Sequence, residues 1–148
     1  MANTTPSMNE PVIVEVTLNV PAEQVWTAIT DRNQMQQWFF DLAEFRAEIG
    51  FEFRFPGGPS PEKQYMHVCK ITAVEPGKIL TYSWHYAGYQ GETYVSFLLS
   101  PQGVKTLLRL THTGLESFPA DNPDFVRENF VEGWGEIIGS KLKMYLEQ

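Results

Sequence analysis

The strongest constraint on the fold of this chain is a series of runs in which apolar and polar residues alternate. The clearest short run is FEFRF, where three phenylalanines share one side and Glu52 and Arg54 the other, so Arg54 is expected outside. A period of two is typical of half-buried strands. The runs occupy residues 51–55, 64–75, 78–89, 94–100 and 104–114.

Short turns separate these runs. Pro76-Gly77 joins one pair and Pro101-Gln102-Gly103 another, which predicts hairpins and an antiparallel meander. PGGPSP at 56–61 is predicted to be a turn or flexible loop. AEFRAEI at 43–49 is a weaker strand candidate.

The N-terminal part predicts a strand followed by two short helices. Val12–Val20 alternates apolar and polar residues. Pro21 suits a first helical position, so a helix is expected to run to about Asp31, with a second short turn at 33–38. With this strand the chain has seven strand candidates, and residues 1–10 are predicted to be a flexible tail.

The C-terminal part changes to a helical period. Asn122 can cap, and a single amphipathic helix of more than 20 residues is predicted to follow it. Gly133, Gly135 and Gly139 interrupt this helix, where each glycine costs about 1 kcal/mol relative to alanine. Close packing of the helix on the sheet, or space left at the helix–sheet junction, would explain them.

Charge and cysteine content exclude several classes of function. The net charge of −7 opposes nonspecific binding to nucleic acid or anionic membranes. The single cysteine, Cys69, rules out an intrachain disulfide, and we expect a cytoplasmic protein without membrane insertion. A monomer or a homodimer is compatible with the sequence.

These elements predict an α+β fold in which a curved antiparallel sheet of seven strands wraps round one long C-terminal helix. Residues 11–148 would form this single domain. One helix cannot fill the concave side of such a sheet, so an aromatic-lined pocket is expected.

Four stretches resemble a known family: VPAEQVWTAITDRNQMQQWF at 20–39, PGKILTYSW at 76–84, TLLRLTHTGL at 106–115 and EGWGEIIGSKLKMYLEQ at 132–148. The chain resembles the helix-grip superfamily of START-like and birch-pollen-allergen-like proteins. Within it, the chain is most similar to the C-terminal domain of the activator of heat shock protein 90 ATPase. The resemblance implies a core position for Trp26 and a place at the cavity wall for Trp38 and Phe39.

The polar candidates for ligand contact are His67 and Tyr82, which lie on neighbouring predicted strands. A few placed polar groups in an apolar pocket are typical of ligand sites. The expected ligand-binding residues are Trp38, Phe39, Phe53, His67, Tyr82, Trp84, Phe97, Phe130, Trp134 and Ile138.

No metal site, cofactor or catalytic residue is predicted. His67 and Cys69 are two residues apart on one strand face, but a zinc site needs three or four ligands. Nothing in the sequence shows an activated Cys69 thiol. His112 is interpreted as structural.

Three functions remain open. The first is a module that binds a hydrophobic small molecule or lipid-like ligand in an internal cavity. The second, implied by the resemblance, is a chaperone-linked protein of the stress response. The third, also implied by the resemblance, is a cyclase- or aromatase-like enzyme, which would need His67 or Tyr82 as an acid or base in the pocket.

Overall fold

A computed structural model describes residues 10–147 and contains one antiparallel sheet of six strands in the order β1-β6-β5-β4-β3-β2. The predicted tail, residues 1–10, lies almost wholly outside the described residues. The strands are β1 (Val12–Leu18), β2 (Glu52–Ser60), β3 (Lys63–Glu75), β4 (Ile79–Tyr86), β5 (Thr93–Gln102) and β6 (Lys105–Thr113).

The sheet curves round the C-terminal helix, as a helix-grip fold requires. Phe97 on β5 pairs with Leu110 on β6 and with Leu80 on β4, so one continuous apolar face runs across the strands. Trp134 and Ile138 on the helix are buried against this face. The predicted fold class is therefore confirmed.

The N-terminal elements also match the prediction. β1 alternates between buried and exposed residues and ends at Leu18. Two helices follow, α1 (Ala22–Thr30) and α2 (Arg32–Trp38). Pro21 lies directly before α1 in an extended conformation, one residue earlier than the first helical position predicted for it. None of the helices between residues 10 and 147 has the length and apolar character needed to cross a bilayer.

The predicted strand at 43–49 is wrong, which is why the sheet has six strands. Leu42 and Phe45 are buried three residues apart, a spacing that strand alternation cannot produce. The Phe45 ring instead packs edge-on against Phe53 of β2, at 5.2 Å between ring centroids. The segment is a loop that this aromatic contact fixes to the sheet.

The turn predicted at 56–61 is also wrong. β2 continues through Pro56 and Gly57 to Ser60, and its register with β3 shifts between Gly57 and Ser60. β2 is an edge strand, where proline can pair without donating a ladder hydrogen bond.

The C-terminal helix begins later than predicted. Asn122 caps only a single 3₁₀ turn, Pro123–Phe125, and the extended backbone of Val126 separates that turn from the helix. The helix consists of α3 (Arg127–Glu136), a π-helical stretch (Ile137–Leu142) and α4 (Lys143–Leu146), with helical backbone at both junctions.

Close packing does not explain the helix glycines. A Cβ atom added at Gly133, Gly135 or Gly139 would meet no described atom within 4 Å outside the local helix backbone. Open space lies beside all three glycines, and at Gly139 that space is solvent. Space at the helix–sheet junction therefore remains an explanation for Gly133 and not for Gly139.

Candidate functional site

A cavity of about 490 Å³ lies between the β2–β3 hairpin and the N-terminal part of the closing helix. Six of its twelve lining residues carry aromatic rings, counting His67, and three are glycines. Its lining residues are Phe40, Gly57, Gly58, Pro59, Tyr65, His67, Tyr86, Asp124, Phe125, Asn129, Phe130 and Gly133.

The hairpin side of the cavity depends on two glycines of β2. A Cβ on Gly58 would lie 1.9 Å from the carbonyl oxygen of Lys63, so only glycine lets the two strands approach this closely. A Cβ on Gly57 would lie 3.0 Å from Cε1 of His67 and 3.3 Å from Cε1 of Phe40. Gly57 thus leaves room for both rings.

The helix side combines the 3₁₀ turn with the first two turns of α3. Phe125 is buried and stacks on Tyr86 of β4, at 4.7 Å between ring centroids. Phe130 projects from α3 toward the same region, and Gly133 follows about one turn later. Because Gly133 has no side chain, the helix leaves part of the cavity unfilled.

A polar cluster joins the two sides at one end of the cavity. The Tyr65 hydroxyl donates to Oδ2 of Asp124 at 2.5 Å, and Nζ of Lys63 lies 2.9 Å from the same oxygen. The hydrogen bond to Asp124 raises the pKa of Tyr65 and, with Lys63, lowers the pKa of the Asp124 carboxyl. This contact connects the 3₁₀ turn to β3.

His67 is the buried polar group of the wall. Its Nδ1 lies 3.1 Å from the carbonyl oxygen of Tyr65, and its ring stacks on Phe55 at 4.5 Å between centroids. Burial lowers the pKa of His67 to about 4, although hydrogen bonds to backbone carbonyls oppose this shift. The imidazole is therefore neutral at neutral pH.

The structure brings two of the predicted ligand-binding residues to the cavity, His67 and Phe130. It places the others in the packed core beside the cavity, with Phe39 partly buried and the rest buried. These core residues are Trp38, Phe39, Phe53, Tyr82, Trp84, Phe97, Trp134 and Ile138.

The indoles in the core are held by hydrogen bonds within the protein. Nε1 of Trp38 donates to the carbonyl oxygen of Ala28 at 3.0 Å, and Nε1 of Trp84 donates to the Tyr86 hydroxyl at 3.0 Å. Trp134 donates to buried His112, which supports the structural interpretation of that histidine. Trp26, expected in the core, is half-buried at its edge.

Several cavity residues were missed by the sequence interpretation. Tyr65 lies two residues before His67 and therefore on the same face of β3, and Tyr86 is the cross-strand partner of His67. Strand alternation could have identified Tyr65. The interior glycine at 133 was also a usable signal, because it suggested space beside the helix. Asp124 and Asn129 gave no signal, since their positions depend on the 3₁₀ turn.

Neither metal binding nor thiol chemistry gains support here. Cys69 is buried, and burial raises the pKa of its thiol well above the ordinary value. Within residues 10–147 there is no group of three or more histidine, cysteine or acidic side chains placed to hold a metal ion. Arg54 is exposed, as the alternation predicted, and its guanidinium forms an ion pair with Glu52 at 2.8 Å.

Several solved structures are similar to this chain. DynU16, a protein in the dynemicin biosynthetic locus, is 26% identical to this chain with a TM-score of 0.75. The match covers 93% of this chain but 47% of DynU16, so the chain spans about half the length of that protein. Protein MLL2253 from Mesorhizobium loti is 27% identical with a TM-score of 0.75, over 93% of this chain and 97% of that one. CalU16 from Micromonospora echinospora is 26% identical with a TM-score of 0.70, over 92% and 75%.

No protein with a curated description matches the sequence. The family described as Activator of Hsp90 ATPase homolog 1-like protein matches residues 19–147, which is most of the chain. The resemblance noted in the sequence is thereby confirmed, and the chain belongs to the Activator of Hsp90 ATPase homolog 1-like protein family.

Proposed function

We propose that this protein is a binding module for a hydrophobic small molecule or lipid-like ligand, which occupies the cavity between the β2–β3 hairpin and α3. The observation that carries the proposal is the cavity itself, which is about 490 Å³ in volume and has aromatic rings on half of its lining residues. Ligand pockets are typically about 300–1,000 Å³, mostly apolar, with a few polar groups.

The pattern of glycines supports a cavity that the fold maintains. Gly133 costs about 1 kcal/mol of helix stability relative to alanine. No close packing against a neighbouring segment explains it, because a Cβ there would meet no described atom within 4 Å outside the local helix backbone. A side chain there would extend into the cavity. Space at this point is therefore retained at a cost in stability, which fits a site that a ligand fills.

Burial of apolar ligand surface would supply the affinity, at roughly 25 cal/mol per Å² before the cost of ordering the ligand. The wall is already in place, because Phe125 stacks on Tyr86 and the Tyr65–Asp124 hydrogen bond fixes the 3₁₀ turn. The similarity to DynU16 gives secondary support, since that protein belongs to the dynemicin biosynthetic locus.

An enzyme using the same pocket has less support. His67 is a weak base, because burial lowers its pKa to about 4, far from a neutral operating pH. Tyr82 is buried beneath the wall, and burial raises its pKa well above the ordinary value. Neither residue therefore has a pKa that suits a general acid or base at neutral pH.

A chaperone-linked function has family membership in its favour. The large exposed apolar side chains of the described residues each belong to a different strand, helix, turn or loop: Ile13, Ile49, Met66, Tyr89, Tyr94, Val104, Val131 and Met144. A docking surface would favour a contiguous apolar patch. The cavity proposal is therefore preferred, and a cytoplasmic location and a role in the stress response stay predictions.

The proposal can be tested with a matched pair of helix variants. Gly133→Leu places a side chain into the cavity, whereas Gly135→Leu makes the same change on the same helix away from the cavity lining. Native mass spectrometry of the purified protein would identify any retained molecule. A thermal-shift screen with fatty acids and neutral aromatic compounds would then follow.

We expect Gly133→Leu to abolish retention and thermal stabilisation, and Gly135→Leu to keep both. Absence of any bound or stabilising compound for the unmodified chain would contradict the proposal. Equal binding by the two variants would show that the ligand lies elsewhere.

A further inference from the structure

The hydrogen-bonding groups of the cavity wall are unequally divided between donors and acceptors, and this limits the ligand. His67 is the first case. Its Nδ1 faces the carbonyl oxygen of Tyr65 at 3.1 Å, and a carbonyl can only accept, so Nδ1 carries the hydrogen. The second ring nitrogen, Nε2, then carries no hydrogen in the neutral imidazole and can only accept.

In two other polar side chains of the wall, the donor groups already make hydrogen bonds within the protein. The Tyr65 hydroxyl donates to Asp124. Nδ2 of Asn129 donates to the carbonyl oxygens of Pro123 at 2.9 Å and Asp124 at 3.2 Å. Because both partners are carbonyls, the orientation of the Asn129 amide is fixed, and its Oδ1 remains an acceptor.

Tyr86 supplies the one uncommitted side-chain donor that the described wall contains. Its oxygen accepts from Nε1 of Trp84, which leaves its own O–H free to donate. Tyr86 is the cross-strand partner of His67, and their rings lie 4.7 Å apart between centroids. Burial raises the pKa of Tyr86, so the hydroxyl stays protonated. The wall thus carries an acceptor on β3 and a donor on the paired residue of β4.

The charge of the wall argues against an anionic ligand. Within residues 10–147, no lysine or arginine lines the cavity. The nearest cation to its polar end, Lys63, is paired with Asp124. An acid group entering this cavity would meet the Asp124 carboxylate and lose its hydration without a free cation to compensate.

We infer that the ligand is a neutral hydroxyl-bearing aromatic molecule, a phenol in the simplest case, whose hydroxyl donates to His67 and accepts from Tyr86. A hydroxyl can do both at once, whereas an ether lacks the donor and a carboxylate lacks the donor and adds charge. This inference rests on the proposed function. It makes His67 and Tyr86 the residues that determine specificity.

The test compares three probes of similar size on the full chain: 2-naphthol, 2-methoxynaphthalene and 2-naphthoate. Dissociation constants come from titration calorimetry at neutral pH. We expect 2-naphthol to bind about 3- to 10-fold more tightly than the methyl ether, as loss of a neutral hydrogen bond implies, and 2-naphthoate to bind most weakly.

Two variants test whether His67 and Tyr86 make the hydrogen bonds to the ligand hydroxyl. His67→Phe keeps a ring that can stack on Phe55 and removes the acceptor, and Tyr86→Phe removes the hydroxyl. His67→Phe should bring the affinities for 2-naphthol and its methyl ether together while the ether still binds. Tyr86→Phe should weaken both probes, because the oxygens of the phenol and the ether both accept from the Tyr86 hydroxyl. If one variant does not fold, the other and the three-probe series still decide the question.

The outcomes separate the inference from the proposed function. If the ether binds as tightly as 2-naphthol, or 2-naphthoate binds most tightly, the inference is overturned while the cavity remains a binding site. If none of the probes binds, the inference is overturned, and the proposed function is decided by its own screen. If all three bind the Gly133→Leu variant unchanged, the cavity is not the site and both proposals fall.

Discussion

The indole of Trp134 on the closing helix donates a hydrogen bond from Nε1 to Nδ1 of His112 on β6, at 3.0 Å and fully inside the core. Nε2 of His112 must then carry the hydrogen and donate to Oγ1 of Thr93, at 2.8 Å. The Thr93 hydroxyl donates in turn to the carbonyl oxygen of Trp84, at 2.7 Å. This chain of bonds joins the helix to β6, β5 and β4, and every member has a partner.

The pairing of His112 with Trp134 should appear as coupling between mutations. His112→Phe keeps the ring volume but leaves the buried Trp134 donor without a partner, which should reduce the free energy of unfolding by about 1–3 kcal/mol. Trp134→Phe should also destabilise. We expect the double variant to lose at least about 0.5 kcal/mol less than the sum of the single variants, by urea denaturation. Additive losses would mean that the hydrogen bond contributes nothing to stability.

The same histidine should make stability depend on pH. Burial lowers the pKa of His112 to about 3, and that of His67 to about 4, while the unfolded chain titrates near 6.5. The unfolded state therefore binds more protons as the pH falls below 6.5. The stabilisation is complete above about pH 6.5 and is lost progressively between that value and the folded pKa values.

As the pH falls through that window, each of these histidines lowers the free energy of unfolding by up to about 1.4 kcal/mol per pH unit. Urea unfolding at pH 7, 6 and 5 would measure the total slope. His112→Phe should reduce it by about half over the same interval. An unchanged slope in this variant would show that His112 does not titrate differently in the folded and unfolded states.

Sequence patterns predicted the elements of this fold better than the positions of individual rings. Alternation in β1 and the helical period after Arg127 depend only on local spacing, and both gave the buried faces correctly. Local spacing did not predict which of the rings Trp38 and Phe40 lies in the core and which lines the cavity. Phe39 leaves α2 with φ −120° and ψ −129°, which is not helical. Trp38 therefore stays in the core while Phe40 lines the cavity.

The cavity itself follows from features that local patterns do not contain. Its hairpin wall depends on how closely β2 approaches the carbonyl oxygen of Lys63, and its helix wall on where α3 begins. Because of the 3₁₀ turn at Pro123–Phe125, α3 begins at Arg127 and not directly after Asn122. The same turn places Asp124 beside Tyr65. Such contacts between distant segments are set by tertiary packing.

Glycine at position 135 should be replaceable with a gain in stability. A Cβ there meets no described atom within 4 Å outside the local helix backbone, so alanine should recover about 0.5–1 kcal/mol of helix propensity. Thermal unfolding would show this as a rise of about 1–4 °C. Gly77→Ala is the contrasting control, because Gly77 has φ +78° in the β3–β4 turn and should resist substitution. A loss of stability in Gly135→Ala would mean that the neighbouring π-helical stretch requires this glycine.

Glycine at position 58 should be the least replaceable of the cavity wall. Its added Cβ would lie 1.9 Å from the backbone oxygen of Lys63, so the two strands of the hairpin would have to separate. Gly57→Ala is the matched control, because its Cβ would meet side chains, 3.0 Å from Cε1 of His67, and these can shift. We expect Gly58→Ala to lower the free energy of unfolding by about 1–3 kcal/mol, and by more than Gly57→Ala does. Amide chemical shifts of Lys63 and Tyr65 should move in Gly58→Ala. Equal effects in both variants would indicate that the close approach of the strands does not shape the cavity.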